Sequence, residues 1–312
     1  MDRRAVWILV LGAVVLVAAA VLVPLLGLAV VFRHEIRDWI SGSAAPGEAV
    51  RLTYVCVDAA TIGQQAVDRD RRIMGSRLAQ GKGGFAVSAL GDDGVEIVVP
   101  NDPQAVDMAR RLLGQAGRLE FRIVADRRVD GEDADFDRLV ERRKAGEPSD
   151  NPAYRWSVMK NGYALAKRGN LSQWGYVCWV DEESSTVEVL VRVDDGQDVT
   201  EKDLRRAVLD RGQDMPVVRF DMKEEARGRF QTLTRPEMRE RHLAIILDGV
   251  IQTAPILKAT LSDAGIISGY DKVYEVQEVV RVLNSGALTG QWKLVEQEWP
   301  GSGASAVETP GQ

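Results

Sequence analysis

An α+β fold behind an N-terminal membrane helix is the architecture this sequence predicts, on three observations. Residues Ala5 to Phe32 carry no charged side chain. Residues 51–124 read as strand, helix, strand, strand, helix, strand. Asp248-Gly249 divides two apolar runs in the way a tight hairpin turn does.

The uncharged run AVWILVLGAVVLVAAAVLVPLLGLAVVF exceeds the ~20 apolar residues a helix needs to cross a bilayer core. A single segment in lipid satisfies its backbone only as a helix. Ala18, Ala19 and Ala20 resemble a signal-peptidase site, but a cleaved signal has a core of only about 7–15 residues. Apolar residues continue beyond these alanines, so an uncleaved anchor is expected. Arg3 and Arg4 on one side and Arg33 and Arg37 on the other tie the positive-inside count, which leaves orientation open. Residues 1–41 are read as anchor and juxtamembrane extension, and 42–50, rich in Gly, Ser, Ala and Pro, as a linker.

The first unit starts with the strand Arg51 to Val57. A charged helix follows from Thr61 to Leu78, with Ile62, Ala66, Ile73 and Arg77 on one face. Phe85 to Leu90 and Val95 to Pro100 flank an acidic turn and form a hairpin. Asn101 or Asp102 caps the next helix, Pro103 starts it and Gly114 ends it. Leu119 to Val124 closes the unit, giving the split βαβ order of ferredoxin-like domains.

Farther along, Phe136, Leu139 and Val140 mark a short helix, and Asp150 to Gln173 shows no clear period. Trp174 to Val180 and Thr186 to Val193 read as strands, and Thr200 with Asp203 as the cap of a helix through Arg211. Pro216 to Phe220 is a strand, and Asp221 with Glu224 a box-like cap for a helix carrying Ala226, Phe230 and Leu233. His242 to Leu247 is apolar on both faces, hence deeply buried, and turns at Asp248-Gly249 into Val250 to Ala254. A helix from Val273 to Leu283 stops at Asn284-Ser285-Gly286, and Gln291 to Trp299 is the last strand. Residues 300–312 lack apolar content and are expected to be disordered.

Composition excludes several functions. The net charge of -6, the pI near 5.2 and the absence of an aromatic-basic run argue against nucleic acid. Gly81-Lys82-Gly83-Gly84 follows a helix and lacks the Ser or Thr of a phosphate loop. His34 and His242 have no Cys or carboxylate at ligand spacing. Neither has the Ser or Cys of a nucleophile pair. Asp92-Asp93, Glu182-Glu183 and Asp194-Asp195 sit in turns, where acids bond their own backbone. Cys56 and Cys178 are either two buried thiols or one disulfide. No catalytic, cofactor-binding or metal-binding residue is expected, and no cofactor.

Two stretches resemble the SecD/SecDF protein-export family. From Val217 to Glu296 the motifs are Phe230, Leu233 and Thr234; Leu247, Asp248, Gly249, Ala254 and Pro255; Ile267 and Gly269; and Gly286, Ala287 and Leu288. The second stretch ends in Leu119-Glu120-Phe121-Arg122. The resemblance implies the family's first exported domain: a ferredoxin-like base from 51–126 plus 266–299, and an inserted α+β head from 127–265. Its motif residues are expected to be structural. It also implies a single-pass protein of the bacterial inner membrane, N-terminus cytoplasmic and the bulk exported.

On this resemblance the chain is an accessory of protein translocation. Its partners would be the membrane, the Sec translocon, SecF-like subunits and unfolded exported polypeptide. Family members continue into further spans that conduct protons, whereas this sequence ends in a polar run, so proton coupling by this chain alone is not expected. Thr289-Gly290 and Asn284 also depart from the family's Pro and Arg. The alternative is an envelope scaffold or sensory protein reusing the fold.

Overall fold

The computed structural model describes residues 49–79, 84–131, 135–193, 198–212, 215–301 and 305–306. The expected anchor, the linker through residue 48, the Gly81-Lys82-Gly83 stretch and Asp194-Asp195 lie outside the described residues. Among the described residues, no helix is long and apolar enough to cross a membrane.

Three sheets make up a mixed α+β fold. The first begins with β1 (Ala49–Cys56). Two helices follow, α1 (Ala59–Ile62) and α2 (Gln64–Ala79). Gly63 separates them at φ +80°, a left-handed value that only glycine adopts readily. The hairpin β2 (Ala86–Leu90) and β3 (Gly94–Pro100) leads to α3 (Pro103–Gly114). Asp102 caps α3, accepting from the Gln104 N–H at 3.1 Å, with Pro103 at its first turn. Valines and Ile97 from β3 pack with Val106, Ala109, Leu112 and Leu113 of α3 and Met74 and Leu78 of α2.

The next strand, β4 (Leu119–Ile123), was expected to close this sheet and does not. The place beside β1 belongs to the last long strand, Trp292–Glu298, which pairs antiparallel from Arg51↔Glu298 to Cys56↔Trp292. The resulting antiparallel order has the fourth strand, then β1, β3 and β2, the split βαβ arrangement. The two candidates differ in burial. β4 is buried along nearly its whole length, whereas Lys293 and Val295 of the last strand face solvent. The one-sided strand suits a sheet covered by helices on one face only.

β4 instead starts the second sheet. After the short helices α4 (Arg127–Asp130) and α5 (Phe136–Lys144) come β5 (Tyr154–Met159), α6 (Gly162–Lys167) and α7 (Asn170–Gln173). Residues 150–173, which showed no period, thus hold one strand and two short helices. Then come β6 (Cys178–Asp181) and β7 (Thr186–Arg192). Trp174 ends α7 rather than starting a strand.

The third sheet takes β8 (Leu204–Arg211) and β9 (Pro216–Met222). Thr200 and Asp203 do form a capping box, but it starts one 3-10 turn, not the expected helix to Arg211. Seven cross-strand pairs with β9 outweigh the helical signal of residues 204–211. Helix α8 (Glu224–Leu233) follows; Lys223, not Asp221, stands at its cap. Asp221 is held by three guanidinium groups, from Arg205, Arg206 and Arg219.

The hairpin β10 (Leu243–Leu247) and β11 (Val250–Thr253) completes the second sheet, in the order β4-β10-β11-β5-β7-β6. Asp248 at φ +51° and Gly249 at φ +80° fit the type I′ turn. β12 (Ala264–Ile267) joins β9 in the third sheet, so Ile266 does not begin the return to the first sheet as expected. Helix α9 (Val273–Ser285) leads to β13 (Trp292–Glu298) and to β14 (Ser305–Ala306), a two-residue strand inside the stretch expected to be disordered.

One core joins the second and third sheets. Phe121 of β4, Phe220 of β9 and Phe230 of α8 meet with ring centroids 5.3, 5.4 and 6.3 Å apart. Val276, Val279 and Leu283 of α9 close it, while Val282 of the same helix enters the first sheet's core. Truncating the fully buried ring in Phe230→Ala should cost about 3–5 kcal/mol, read as a lower urea midpoint with an unchanged slope.

Candidate functional site

The chain leaves the first sheet once, through residues 115–118 after α3, and returns once, through residues 286–291 after α9. Peptide groups in these crossings have no strand partner, so something else must satisfy them. Two side chains of α2, two helical turns apart, do so.

Arg77 is fully buried. Its guanidinium donates to the carbonyls of Leu112 (2.9 Å), Ala116 (2.9 Å) and Gly286 (2.9 Å), to Ser285 Oγ (3.1 Å), and to the Gln115 carbonyl. Three of these groups, Leu112, Ser285 and Gly286, lie at the C-terminal ends of α3 and α9, where the helix dipole favours a cation. Burial pushes the guanidinium down to about 10, opposed by the charges of Asp248 and Asp70. It therefore stays protonated at neutral pH.

Asp70, also fully buried, complements it on the return crossing. Its carboxylate accepts from the backbone of Thr289 (2.9 Å) and Gly290 (2.8 Å) and from Trp292 Nε1 (3.0 Å). The crossings also touch each other, Leu288 N–H donating to the Ala116 carbonyl at 2.8 Å. Glycine is required at 117: φ is +83°, and a Cβ would stand 2.8 Å from Arg77 Nη2 and from Val282.

Asp248 does more than turn a hairpin. Its carboxylate accepts from the Gly117 N–H (3.1 Å) and the Arg118 N–H (2.8 Å), and its own N–H donates to the Arg118 carbonyl (2.9 Å). The tip of the second sheet is thus tied to the outgoing crossing. Beside it lies a cleft of about 360 Å³ bordered by Arg69, Arg118, Glu120, Thr200, Lys202 and Leu288. Residues from all sides of the crossings line it. A second recess, of about 400 Å³, lies over β5 at Tyr154 and Trp156, under the Arg143–Glu188 ion pair.

The motif residues fall into two groups. Asp248, Gly286, Ala287 and Leu288 stand at the crossings. Gly286, at φ +93°, ends α9. Phe230, Leu233 and Thr234 are core: the buried Thr234 Oγ1 donates to the Phe230 carbonyl at 2.8 Å and accepts from the Leu261 N–H at 2.8 Å. The Ala254 and Pro255 carbonyls receive His242 Nδ1 (2.9 Å) and the Leu243 N–H (2.9 Å), and Gly269 sits at φ +92°. The helical spacing marks Arg77 only as one residue of a helix face. Asp70 was missed, and an acid and a basic residue seven apart on an otherwise apolar face were the available signal.

His242 is buried against Tyr176 (4.8 Å) and Trp174 (5.8 Å). Burial, with the charges of Arg128 and Arg241, pushes its imidazole below the ordinary value, against the Ala254 carbonyl and Asp126. Cys56 and Cys178 are both free thiols, and burial pushes each up. Among the described residues no group of three or more His, Cys, Asp or Glu is placed to hold a metal.

With this geometry in hand, comparison with known proteins bears out the resemblance to the SecD/SecDF family. Residues 180–290 match the family model described as SecDF, P1 head subdomain. Protein translocase subunit SecD of Aquifex aeolicus is 31% identical over 115 residues, 35% of this chain and 22% of that protein. SecD of Magnetococcus marinus is 25% identical over 290 residues, 89% of this chain and 48% of that protein. This chain thus spans less than half the length of these relatives. A solved structure reported as a membrane component SecDF that enhances protein export aligns with a TM-score of 0.52 at 22% identity. It covers 79% of this chain and 98% of that one, a likeness of fold.

Arg77→Lys keeps the charge but not the five-donor fork. It should lose at least about 2 kcal/mol, since bonds from a charged donor are worth ~1.5–3 kcal/mol each. Limited proteolysis should then cut first in residues 115–118 or 286–291. For His242 the unfolded state binds the extra proton first, so stability holds above the ordinary histidine pKa near 6.5 and falls below it. The melting temperature should drop between pH 7.5 and 5.5, and His242→Gln should flatten that slope.

Proposed function

We propose that this chain is a membrane-anchored accessory of protein translocation whose folded part, outside the lipid, contacts exported polypeptide or the translocon. The observation that carries the reading is the kinship with SecD, set on geometry: the motif residues Asp248, Gly286 and Leu288 converge on the two crossings that join the sheets. On this reading the first sheet with its helices is the base, and the second and third sheets are the head. The uncharged run Ala5 to Phe32 supplies the inner-membrane anchor, with the N-terminus cytoplasmic.

The partners proposed are the Sec translocon, SecF-like subunits and unfolded polypeptide. The role assigned is binding rather than catalysis. Unfolded segments are commonly bound at a sheet edge or in an apolar groove, and the three sheets supply edges of the first kind.

In-cell photocrosslinking of the intact membrane protein tests this, with a reactive residue at the exposed positions Lys202 and Arg155. The secretion channel, SecF-like subunits or nascent exported chains should be recovered. Recovery of only the protein itself or unrelated envelope proteins would overturn the export role in favour of a scaffold.

A further inference from the structure

Sheet edges invite an added strand, and proteins usually close them. Here two edges carry local side-chain or backbone caps. On β8 the Asn284 side chain pairs with Ala207 like a short strand, accepting its N–H at 2.8 Å and donating to its carbonyl at 2.8 Å. On β4, the Phe121 N–H donates to the Val199 carbonyl at 3.3 Å and Glu120 bridges to Thr200.

The outer edge of β13 is different. It holds β14, paired at Glu296↔Ala306 and Gln297↔Ser305. Trp292 to Val295 have no strand on that side among the described residues. The register shift opposite Thr53 and Tyr54 leaves Val295 unpaired with β1 and 41% exposed. An extended segment therefore already sits on this edge, over two residues of a seven-residue strand.

What that segment lacks is informative. Residues 300–306 read PGSGASA, with no large apolar or charged side chain. Such a sequence offers the edge little beyond its backbone. An edge that accepts it selects for extended conformation and not for side-chain identity.

We propose that the outer edge of β13, from Trp292 to Gln297, is a strand-addition site for extended polypeptide, and that residues 305–306 occupy it as a placeholder. The inference deepens the translocation reading and rests on it. Backbone pairing tolerates almost any sequence, which is what a contact with many different exported chains requires. The exposed Lys293 and Val295 and the half-buried Trp292 and Leu294 alternate, so an added strand would have one solvated face.

The test uses the full chain in detergent and, as probe, a fluorescent, reduced and carboxymethylated protein that cannot fold. Ser305→Pro with Ala306→Pro removes the placeholder's N–H donors and should tighten binding. Glu296→Cys with Ala306→Cys, opposite each other in register, should weaken it about tenfold when oxidised, the worth of one to two ladder bonds, and recover on reduction. Both variants alter the strand end rather than the core, and sedimentation runs beside the binding assay. If the probe binds but neither variant changes its affinity, the edge assignment is overturned while polypeptide contact stands. If the proline variant instead dimerises without binding the probe more tightly, the edge takes a second copy, and the proposal is likewise overturned. If no form binds the probe, both the edge and the polypeptide contact fall.

Discussion

A cation buried among carbonyls holds this molecule together where its sheets meet. Among the described residues Arg77 has no carboxylate within ion-pair distance; its partners there are backbone dipoles and one hydroxyl. A lone buried charge is ordinarily expensive. Here the C-terminal ends of α3 and α9 point at it, and each brings partial negative charge. All of its donors are directed at acceptors, so little desolvation is left uncompensated. The same group satisfies peptide carbonyls that neither sheet can pair.

Asp70 answers from the same helix for the opposite polarity, taking the N–H groups of the return crossing. Division of labour between the two follows from their chemistry, guanidinium for carbonyls and carboxylate for amides. Helix α9 is then fixed on two sides. Val282 packs into the first sheet's core, and Val276, Val279 and Leu283 into the core of the other two. Glu278 adds a two-pronged pair with Arg111 of α3, bonded at 2.8 and 3.0 Å. The relation between the sheets is therefore set by one helix and two short crossings. The head-like part rests on that frame through Asp248.

Local signals read well wherever turn chemistry is strict. Asp248-Gly249 required positive φ at both positions and has it, and Asp102-Pro103 capped and started α3 as the sequence indicated. The motif residues sit at turns, helix stops and core positions, and several meet at the crossings. Thr200 and Asp203 show the limit of such signals. Their box forms, yet the residues after it become a strand because β9 lies alongside. A cap specifies where a helix can start, not that one continues. Asp221 failed for a related reason, since Arg205 and Arg206 of the neighbouring β8 claimed its carboxylate before α8 did.

By itself the sequence determined the mixture of strands and helices, the hairpins and the apolar faces, because these depend on neighbours within a few residues. Tertiary structure alone decided which strand completes the first sheet. β4 and β13 both carry alternating apolar residues, and pairing with β1 is a contest between segments more than 160 residues apart. Only the assembled fold shows that β10 takes β4 away into a doubly buried sheet and leaves the one-sided β13 for β1. The roles of Arg77 and Asp70 were hidden in the same way, since their partners lie up to 222 residues along the chain. A charge on a helix face looks solvated until the segments that cover it are in place.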